Sequence, residues 1–284
     1  MKKIISFLSI AFVFAALSSC QDPDPATAYG WTAQGQNIPG PRIIQKVEMG
    51  TQMMEEYVSN GGVVSKINSF LYDNTAVAEK REFVLTYNGS KISKMDVHIT
   101  VPGSNVMQTE AFTPTYSASM MTGYTRATTT GTGTTNHTAV FSHDTSGWLT
   151  KVVEKSFYGT ASMPSVEKIY NLFYTGQNVT KVERITKMLN PANGNVISSI
   201  VDIDEYSNYD SKLTPYSTLS EDLRKLYGAY VPKSLYSLSY NNPGKYKLTN
   251  PTLPIPVEQV YTYQYDTQNY AVTNGAVRFF YKAK

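Results

Sequence analysis

The fold is decided by residues 83–95, which read FVLTYNGSKISKM. Asn88 and Gly89 form the kind of residue pair that readily adopts the positive φ angles of a tight hairpin turn. The residues before this pair are rich in β-branched and aromatic side chains, which favour strands. The stretch therefore predicts a β-hairpin.

One short pattern recurs after such turns: an aliphatic residue, a hydroxyl residue, a lysine and an apolar residue. Its copies are Val64–Ile67, Ile92–Met95, Leu149–Val152 and Val179–Val182. Each copy follows a turn that contains glycine, and the copies start 28, 57 and 30 residues apart. Because the middle interval is about two periods long, we expect one degenerate copy within it. The pattern predicts a series of similar hairpins.

The strand after each turn does not alternate cleanly between apolar and polar residues. In a regular strand, Ile92 and Lys94 fall on one face, and Ser93 and Met95 fall on the other. Two explanations remain open. Either Lys94 lies along an apolar surface with its ammonium group in water, or the strand twists or bulges at this point.

Aromatic strands precede these turns, and the chain contains 22 tyrosines. The units resemble the YD-type, RHS-like β-hairpin repeats of Bacteroidetes-type surface lipoproteins of unknown function. The resemblance covers roughly residues 57–281 and is carried by Tyr87–Gly89 with Lys91–Lys94, Tyr174–Gly176 with Val179–Lys181, Tyr209–Lys212 and Tyr263–Asp266. It implies an all-β fold in which a long antiparallel meander forms a curved sheet or a partial barrel.

Two stretches lack the hairpin pattern. Residues 125–138 are rich in threonine and glycine and have no apolar periodicity, which predicts a flexible loop. Residues 251–256 contain three prolines, Pro251, Pro254 and Pro256, and therefore predict a connection rather than a strand.

Residues 217–228 predict one short helix, centred on residues 219–227. Thr218 and Glu221 fit a capping box at its start, and Gly228 suits its end. The residues predicted to share its apolar face are Leu219, Leu223, Leu226 and Tyr227. We expect the helix to plug or cover part of the sheet.

The N-terminal residues have the features of a lipoprotein export signal. Lys2 and Lys3 precede an almost unbroken apolar run. Residues 17–20, Leu-Ser-Ser-Cys, then match a lipobox, in which small side chains admit a peptidase and the thiol of Cys20 carries the lipid. The alternatives are an ordinary cleaved signal and a transmembrane anchor, although the run is shorter than the roughly 20 residues that span a bilayer. Cys20 is the only cysteine, so disulfide bonds within the chain are excluded.

The chain is therefore expected to consist of a signal peptide at residues 1–19, a lipidated tether at residues 20–41 and a single all-β domain at residues 42–284. The tether is polar and rich in proline. Its acidic residues Asp22 and Asp24 resemble the signals that send Bacteroidetes-type lipoproteins to the outer face of the outer membrane. We expect an outer-membrane protein, anchored by lipid, that faces the cell exterior.

Potential metal ligands are few and scattered. Zinc needs three or four converging ligands, whereas the chain has three histidines, His98, His137 and His143. The oxygen-bearing residues spaced loosely like a calcium loop are Asp202, Asp204, Asn208 and Asp210. The glycine that such a loop requires is absent. We therefore assign no metal site.

The sequence contains no nucleophile elbow, phosphate-binding loop or zinc-protease motif. We assign no catalytic residue and no cofactor, and the ligand-binding residues are unknown at this stage. A net charge of +3 gives no reason to expect nucleic acid as a partner. The expected partners are the membrane, through the lipid anchor, and a glycan or an envelope protein.

The sequence thus predicts a non-enzymatic binding or structural module at the cell surface. Two alternatives remain: a carrier that holds an apolar ligand in a half-barrel cavity, and a glycan-binding accessory protein. A deep apolar cavity beneath residues 217–228 would favour the carrier. An exposed row of tyrosines would favour surface binding.

Overall fold

The computed structural model describes residues 40–104, 108–159 and 161–284, and all of them belong to one compact unit. In these residues the chain forms one antiparallel sheet of seventeen strands, which confirms the predicted all-β fold. The strands are β1 (Arg42–Met49), β2 (Gln52–Asn60), β3 (Val63–Asp73), β4 (Ala76–Asn88), β5 (Lys91–Thr100), β6 (Gln108–Ser117), β7 (Met120–Thr130), β8 (Gly133–His143), β9 (Leu149–Tyr158), β10 (Val166–Thr175), β11 (Asn178–Leu189), β12 (Val196–Ser207), β13 (Lys245–Thr249), β14 (Val257–Val260), β15 (Gln264–Tyr265), β16 (Ala271–Thr273) and β17 (Arg278–Ala283).

Neighbouring strands along the chain pair with one another from β1 to β14, as a meander requires. β1 also pairs with β17 along most of its length, so the sheet curls back to its first strand. Residues 261–263 connect β14 to β15. In this connection the Tyr261 amide donates to the Gly244 carbonyl, before β13, at 2.9 Å, and the Thr262 amide donates to the Asn274 carbonyl, after β16, at 3.2 Å. The sheet therefore has the predicted curved form.

The expected degenerate repeat lies at the start of β7, where Met121–Tyr124 occupies the place of the four-residue pattern. In all five copies both the first and the fourth residue are buried. The buried pairs are Val64 and Ile67, Ile92 and Met95, Met121 and Tyr124, Leu149 and Val152, and Val179 and Val182. Glycine replaces lysine in the degenerate copy because a Cβ atom on Gly123 would lie 2.0 Å from the Ala139 carbonyl oxygen.

A β-bulge explains how residues three positions apart reach the same face. The strand register skips the hydroxyl residue in every copy; for example, Tyr87 pairs with Ile92 but Thr86 pairs with Lys94, so Ser93 is the extra residue. The other extra residues are Ser65, Thr122, Thr150 and Thr180. Bulges increase the local twist of a strand, and these five lie at the same end of the meander. The bulge explanation, which the sequence left open, is therefore the correct one.

Tyrosine hydroxyl groups join successive hairpins at this bulged end. Tyr87 donates to the Val64 carbonyl at 2.7 Å, and Tyr116 donates to the Ile92 carbonyl at 3.0 Å. Tyr174 and Tyr209 repeat the contact with the carbonyls of Leu149 and Val179. His143 occupies the corresponding strand position opposite Leu149. The tyrosines of the pattern therefore have one edge in the core and one hydroxyl group committed to the neighbouring hairpin.

The predicted helix exists, but its bounds differ from the prediction. Helix α1 spans Glu221–Tyr230, and 3-10 helices at Pro215–Thr218 and Pro232–Leu238 flank it. The predicted capping box is wrong, because Ser220 is the N-cap and its hydroxyl accepts from the Leu223 amide at 3.3 Å. The Thr218 hydroxyl instead accepts from the Ile44 amide of β1 at 3.1 Å. The Thr218 hydroxyl therefore binds a distant strand instead of capping the helix.

The prediction that Gly228 ends the helix is also wrong. Gly228 lies inside α1, where an added Cβ atom would approach the Leu235 side chain to 2.9 Å. Close packing against the following 3-10 helix therefore favours glycine here. Helix α1 ends at Tyr230, two residues before Pro232, because the residue that precedes a proline is disfavoured in the α conformation.

The prediction of a flexible loop at residues 125–138 is wrong. These residues form most of the β7–β8 hairpin, with Thr130 opposite Gly133. Threonine is β-branched and favours strands, and the hairpin lacks apolar periodicity because its inward positions carry Arg126 and His137. By contrast, the proline-rich residues 250–256 connect β13 to β14 as predicted. Among the described residues, no helix is long and apolar enough to cross a membrane.

Candidate ligand-binding cleft

A cleft of about 350 Å³ opens at the bulged end of the sheet, beside the N-terminal half of α1. Its size lies within the range of small-molecule sites, roughly 300–1,000 Å³. The β8–β9 turn, the β10–β11 turn and the chain around the second 3-10 helix complete its walls. The lining residues are Trp148, Leu149, Tyr174, Gln177, Ser217, Glu221, Arg224, Lys225, Leu238 and Tyr240.

An Asx turn holds Trp148 in place. The Asp144 carboxylate accepts from the backbone amides of Ser146 and Trp148, each at 2.9 Å. Gly147, between them, has a φ of 86°, which favours glycine. The Asp144 amide also donates to the Trp148 carbonyl at 3.0 Å. The indole is therefore presented by a turn with a defined backbone conformation.

Trp148 and Tyr174 form an aromatic wall. Their ring centroids lie 4.9 Å apart with an interplanar angle of 62°. The Tyr174 hydroxyl donates to the Leu149 carbonyl at 3.0 Å, which orients the ring. Burial raises the pKa of Tyr174, so this hydroxyl keeps its proton at neutral pH. Both rings are half-buried and have one side toward the cleft.

Tyr240 also lines the cleft and is 51% exposed. Its amide donates to the Gln177 carbonyl at 3.1 Å. Asn178 strengthens this link, since its side-chain oxygen accepts from the Asn241 amide at 2.9 Å. These bonds join the β10–β11 turn to the chain after the second 3-10 helix and keep the two walls together.

Three ionisable side chains from α1 line the cleft, and two of them pair. Lys225 is only 3% exposed, and its ammonium group lies 2.6 Å from the Glu221 carboxylate. The Arg224 guanidinium donates from Nη1 to the Ser237 carbonyl at 2.9 Å. With two cations and one anion, the lining carries a net charge of +1.

Arg224 differs from the other arginines of the interior. Among the described residues no carboxylate forms a salt bridge with it, whereas Arg42, Arg126 and Arg184 each pair with at least one. Burial lowers the pKa of the Arg224 guanidinium, although Glu221 and Tyr174 oppose this effect. A buried cation without a paired anion is costly, so an anion in the cleft would stabilise this arginine.

The histidines that sequence analysis considered as ligands do not converge. His137 makes contacts inside the β7–β8–β9 region, including one of 2.8 Å from Nδ1 to the Ser156 hydroxyl. His143 lies near the cleft, where burial and the charge of Lys225 lower its pKa. His98 lies on β5 opposite Glu82 and Thr109. In the part of the chain that the structure describes, no group of three or more histidine, cysteine, aspartate or glutamate side chains could hold a metal ion.

The acidic residues near β12 bind protein groups instead of leaving oxygens for calcium. Arg184 lies 3.0 Å from Asp202 and 2.5 Å from Asp204. The Tyr246 hydroxyl donates to Asp204 at 2.7 Å. Asp210 accepts from the side chain of Asn242 at 3.2 Å. Cys20, the predicted lipidation site, lies outside the described residues.

An internal ion cluster escaped the sequence analysis because Arg126 and His137 lie within the segment predicted as a loop and their acidic partners lie on other strands. Arg126 donates to Glu110 at 2.7 Å and to Glu154 at 2.9 Å. Its second nitrogen also lies 3.1 Å from Nδ1 of His137. Arg126 and the two carboxylates bond to one another, so the cluster is better suited to holding β6–β9 together than to binding a ligand.

The space between α1 and the sheet is largely filled by side chains. A gap lined by Glu55, Tyr216, Tyr236 and other residues holds only about 20 Å³, which is close to the volume of one water probe. Tyr261, Tyr263 and Tyr265 form a row with centroids 6.2 Å apart, but the rings are half-buried rather than exposed. Neither the cavity expected of an apolar carrier nor an exposed row of tyrosines is found at these places.

Sequence analysis missed the cleft because its residues are distant in the chain. The only local signal was Trp148, one of two tryptophans, directly after the glycine of a predicted turn. Arg224 carried no signal, because an arginine on the polar side of a short helix is ordinarily exposed. Only the position of α1 against the β8–β9 and β10–β11 turns brings the two together.

No protein-family model matches the chain, and no curated protein sequence matches it. Among solved structures, the chain is similar to a porin-like protein from Bacteroides vulgatus, with a TM-score of 0.46 and 10% sequence identity. The alignment covers 86% of this chain and 99% of that one. The similarity is too distant to carry information about function.

Proposed function

We propose that this protein is a non-enzymatic, lipid-anchored binding protein of the outer membrane whose cleft takes an acidic sugar. The observation that carries the ligand class is the aromatic wall of Trp148 and Tyr174 beside Arg224, which forms no salt bridge with a described residue. The lipobox at Cys20 and the acidic tether support the location. Exposure to the cell exterior belongs to the same proposal.

The aromatic lining favours a ligand with a ring. Sugar rings present flat arrays of C–H groups that pack against aromatic faces, while their hydroxyl groups need polar partners. Trp148, Tyr174 and Tyr240 supply the apolar surfaces, and Gln177 and Ser217 supply polar groups in the same cleft. An entirely apolar ligand would leave these polar groups without partners, which is unfavourable.

The charge of the cleft favours a carboxylate on that sugar. Arginine offers a planar set of donors that matches a carboxylate in a two-point contact. Arg224 has one nitrogen bonded to Ser237 and no salt bridge to a described residue, whereas Lys225 already pairs with Glu221. An acidic sugar such as a uronate would compensate the charge that the fold leaves in the cleft.

The same lining supports binding rather than hydrolysis of a glycan. Glycosidases ordinarily act through two carboxyl groups on either side of the scissile bond. Glu221 is the sole carboxylate among the lining residues of this cleft, and it already forms a salt bridge with Lys225.

Trp148 gives a direct test of the ligand. With Trp31→Phe as background, Trp148 becomes the only tryptophan and its fluorescence reports on the cleft. We expect oligogalacturonate to shift this fluorescence, and a neutral gluco-oligosaccharide of the same length to bind at least about 10-fold more weakly, or about 1.4 kcal/mol. Arg224→Gln is expected to remove the preference for the acidic sugar.

Calorimetry on the protein with both tryptophans supplies the matched controls. Trp148→Ala is expected to weaken binding, whereas Tyr158→Ala, which removes an exposed aromatic ring from the end of β9, is expected to leave it unchanged. Equal affinities for acidic and neutral sugars would contradict the charge argument. An absence of binding by every glycan tested would contradict the proposed function.

The location has its own test. Cys20→Ala is expected to move the protein from the membrane fraction to the soluble fraction, and globomycin is expected to block maturation of the unmodified chain. Unchanged membrane fractionation of Cys20→Ala would contradict lipid anchoring while leaving the cleft untouched.

A further inference from the structure

A small internal gap lies next to the ligand-binding cleft, and Arg224 lines both of them. The volume of the gap is about 20 Å³. A cavity of about 10–15 Å³ or more can hold one water molecule, provided that two to four polar groups surround it. The gap is therefore large enough for one water molecule and too small for a sugar or an apolar ligand.

The lining of this gap is mainly polar. Of the ten described residues that line it, seven have polar or charged side chains, and the other three are Ile67, Leu219 and Leu223. Apolar cavities stay dry, whereas a water molecule in a polar cavity satisfies buried donors and acceptors. The polar groups come from β2, α1 and both 3-10 helices, so the gap marks the place where the helical segment meets the sheet.

Glu55 on β2 brings a carboxylate acceptor to the gap. Its Oε2 accepts from the Tyr57 hydroxyl at 2.6 Å, and its Oε1 accepts from the Tyr227 hydroxyl at 2.8 Å. Each carboxylate oxygen can accept two hydrogen bonds, so each can accept one more. Burial raises the pKa of Glu55 by more than these two bonds lower it. A further donor in the gap would therefore stabilise the carboxylate.

Tyr236 on the second 3-10 helix brings a hydroxyl donor to the same gap. Its hydroxyl is hydrogen-bonded to the Tyr216 hydroxyl, and this bond acts to raise the pKa of Tyr216 and to lower that of Tyr236. These directions mean that Tyr216 donates and Tyr236 accepts. The Tyr236 hydroxyl therefore directs its own proton elsewhere. The charge of Glu55 also acts on Tyr236, which places the two groups near each other.

From the size of the gap and the polar groups around it, we propose that it binds one water molecule, which donates to the Glu55 carboxylate and accepts from the Tyr236 hydroxyl. Ser237, which is 3% exposed and lines the same gap, supplies a third partner. Buried water molecules in proteins typically make about three hydrogen bonds. The water molecule thus links β2 to the second 3-10 helix.

This link stabilises the wall of the cleft that holds Arg224. The Ser237 carbonyl accepts from the Arg224 guanidinium at 2.9 Å, so the second 3-10 helix orients this arginine. A water molecule between Glu55 and the second 3-10 helix holds that helix against the sheet. The site does not require that the cleft binds a sugar, and we expect the water molecule with and without a ligand. It is therefore independent of the proposed function.

A crystal structure of residues 20–284, with Cys20→Ser so that no lipid is attached, tests the site directly. We expect electron density for one water molecule at hydrogen-bond distance, about 2.7–3.2 Å, from a Glu55 oxygen and from the Tyr236 oxygen. A soak in rubidium chloride distinguishes water from a monovalent cation, because rubidium gives an anomalous signal. A rubidium peak in the gap would overturn the proposal, and so would the absence of density between Glu55 and Tyr236.

Substitution of Leu219 tests the site in solution. Leu219→Phe brings a larger side chain to the lining of the gap, whereas Leu219→Met conserves volume and is the matched control. Deuteron magnetic relaxation dispersion counts the water molecules that stay bound for longer than the protein takes to tumble. We expect one fewer such water molecule in Leu219→Phe than in Leu219→Met or the unmodified protein.

Equal numbers of long-lived water molecules in all three proteins, with a native circular dichroism spectrum for Leu219→Phe, would contradict the proposal. If Leu219→Phe does not fold, the crystal structure of the unsubstituted gap decides the question.

Discussion

The repeat region, residues 52–189, and the closing segment, residues 208–284, stabilise one sheet in different ways. In the repeat region a bulged hairpin recurs, with a buried pair of apolar residues, a hydroxyl residue at the bulge and in most cases a tyrosine bonded to the previous hairpin. The closing segment has strands of only two to six residues and makes contacts that occur once. Stability is therefore distributed over many similar contacts in the repeat region, and it is concentrated in a few unique contacts in the closing segment.

The concentrated contacts are buried and polar. Arg42 on β1 forms a salt bridge with Asp266, and the two side chains are 0% and 3% exposed. Asp266 also accepts from the backbone amides of Gln268 and Tyr270 in the turn before β16. Near the end of β12, Asp210 accepts from both Asn242 and Tyr265. Removal of one member of such a contact leaves a buried group without its partner.

The largest effect is expected from Asp266→Ala. It would leave Arg42 buried without this carboxylate and would remove two hydrogen bonds from the turn, so we expect a loss of about 3–5 kcal/mol in the free energy of unfolding. Urea denaturation measures this loss. The matched control is Asp96→Ala in the repeat region, where the more exposed Lys94–Asp96 pair should contribute less than about 1 kcal/mol. Equal losses at the two sites would contradict the distinction between concentrated and distributed stability.

A smaller effect is expected from Tyr87→Phe. This change removes one hydroxyl group that donates to the Val64 carbonyl at 2.7 Å, so unfolding should become easier by about 1 kcal/mol. Because the same contact recurs in other hairpins, the sheet should remain native-like. Tyr158→Phe removes an exposed hydroxyl and serves as the control, with no expected change. Loss of the native circular dichroism spectrum in Tyr87→Phe would contradict the distributed stability of the repeat region, because the sheet would then depend on a single tyrosine contact.

The smallest expected effect concerns the β7–β8 hairpin, where polar groups replace the apolar interior of the other repeats. Burial lowers the pKa of His137 to about 4, and the charges of Arg126 and Lys168 act in the same direction while Glu154 opposes them. The unfolded chain takes up a proton near the ordinary histidine value of about 6.5. The contribution of neutral His137 to the free energy of unfolding is therefore complete above about pH 6.5 and decreases as the pH falls toward about 4. Partial exposure of the ring limits the size of this contribution.

The measurement for His137 is the urea midpoint at about pH 7 and about pH 5, within the window set by these two pKa values. The unmodified protein should lose stability at the lower pH, and His137→Gln should lose less. A substitution at His98, on β5 outside the ion cluster, provides the histidine control. Identical pH dependence of the unmodified protein and His137→Gln would contradict the role of this histidine.

Local sequence predicted the hairpins because a turn and its two strands are only a few residues apart. Asn88–Gly89 and its counterparts identified the turns, and the spacing of the copies anticipated the degenerate repeat at Met121–Tyr124. The sequence also predicted the proline-rich connection, since proline cannot donate a hydrogen bond to a strand ladder. The apolar and polar residues around Ser93 do not alternate regularly, which indicated an irregular strand. The choice between a bulge and a Lys94 side chain lying along an apolar surface required the strand register.

The features decided by tertiary structure involve groups that are far apart in the chain. Thr218 fits a helix cap in the sequence, yet it contacts Ile44 on β1, and Ser220 becomes the cap. Residues 125–138 look like a loop because the partners of Arg126 lie on other strands. The cleft exists only where α1 meets two hairpin turns.

The sequence by itself thus determined a meander of hairpins with one helix, because turn and strand preferences act over a few residues. Only the tertiary structure decided where the helix begins, which polar residues are buried, and which aromatic and charged groups face a common cleft. These outcomes depend on desolvation and on partners contributed by distant strands, and no short segment specifies either one.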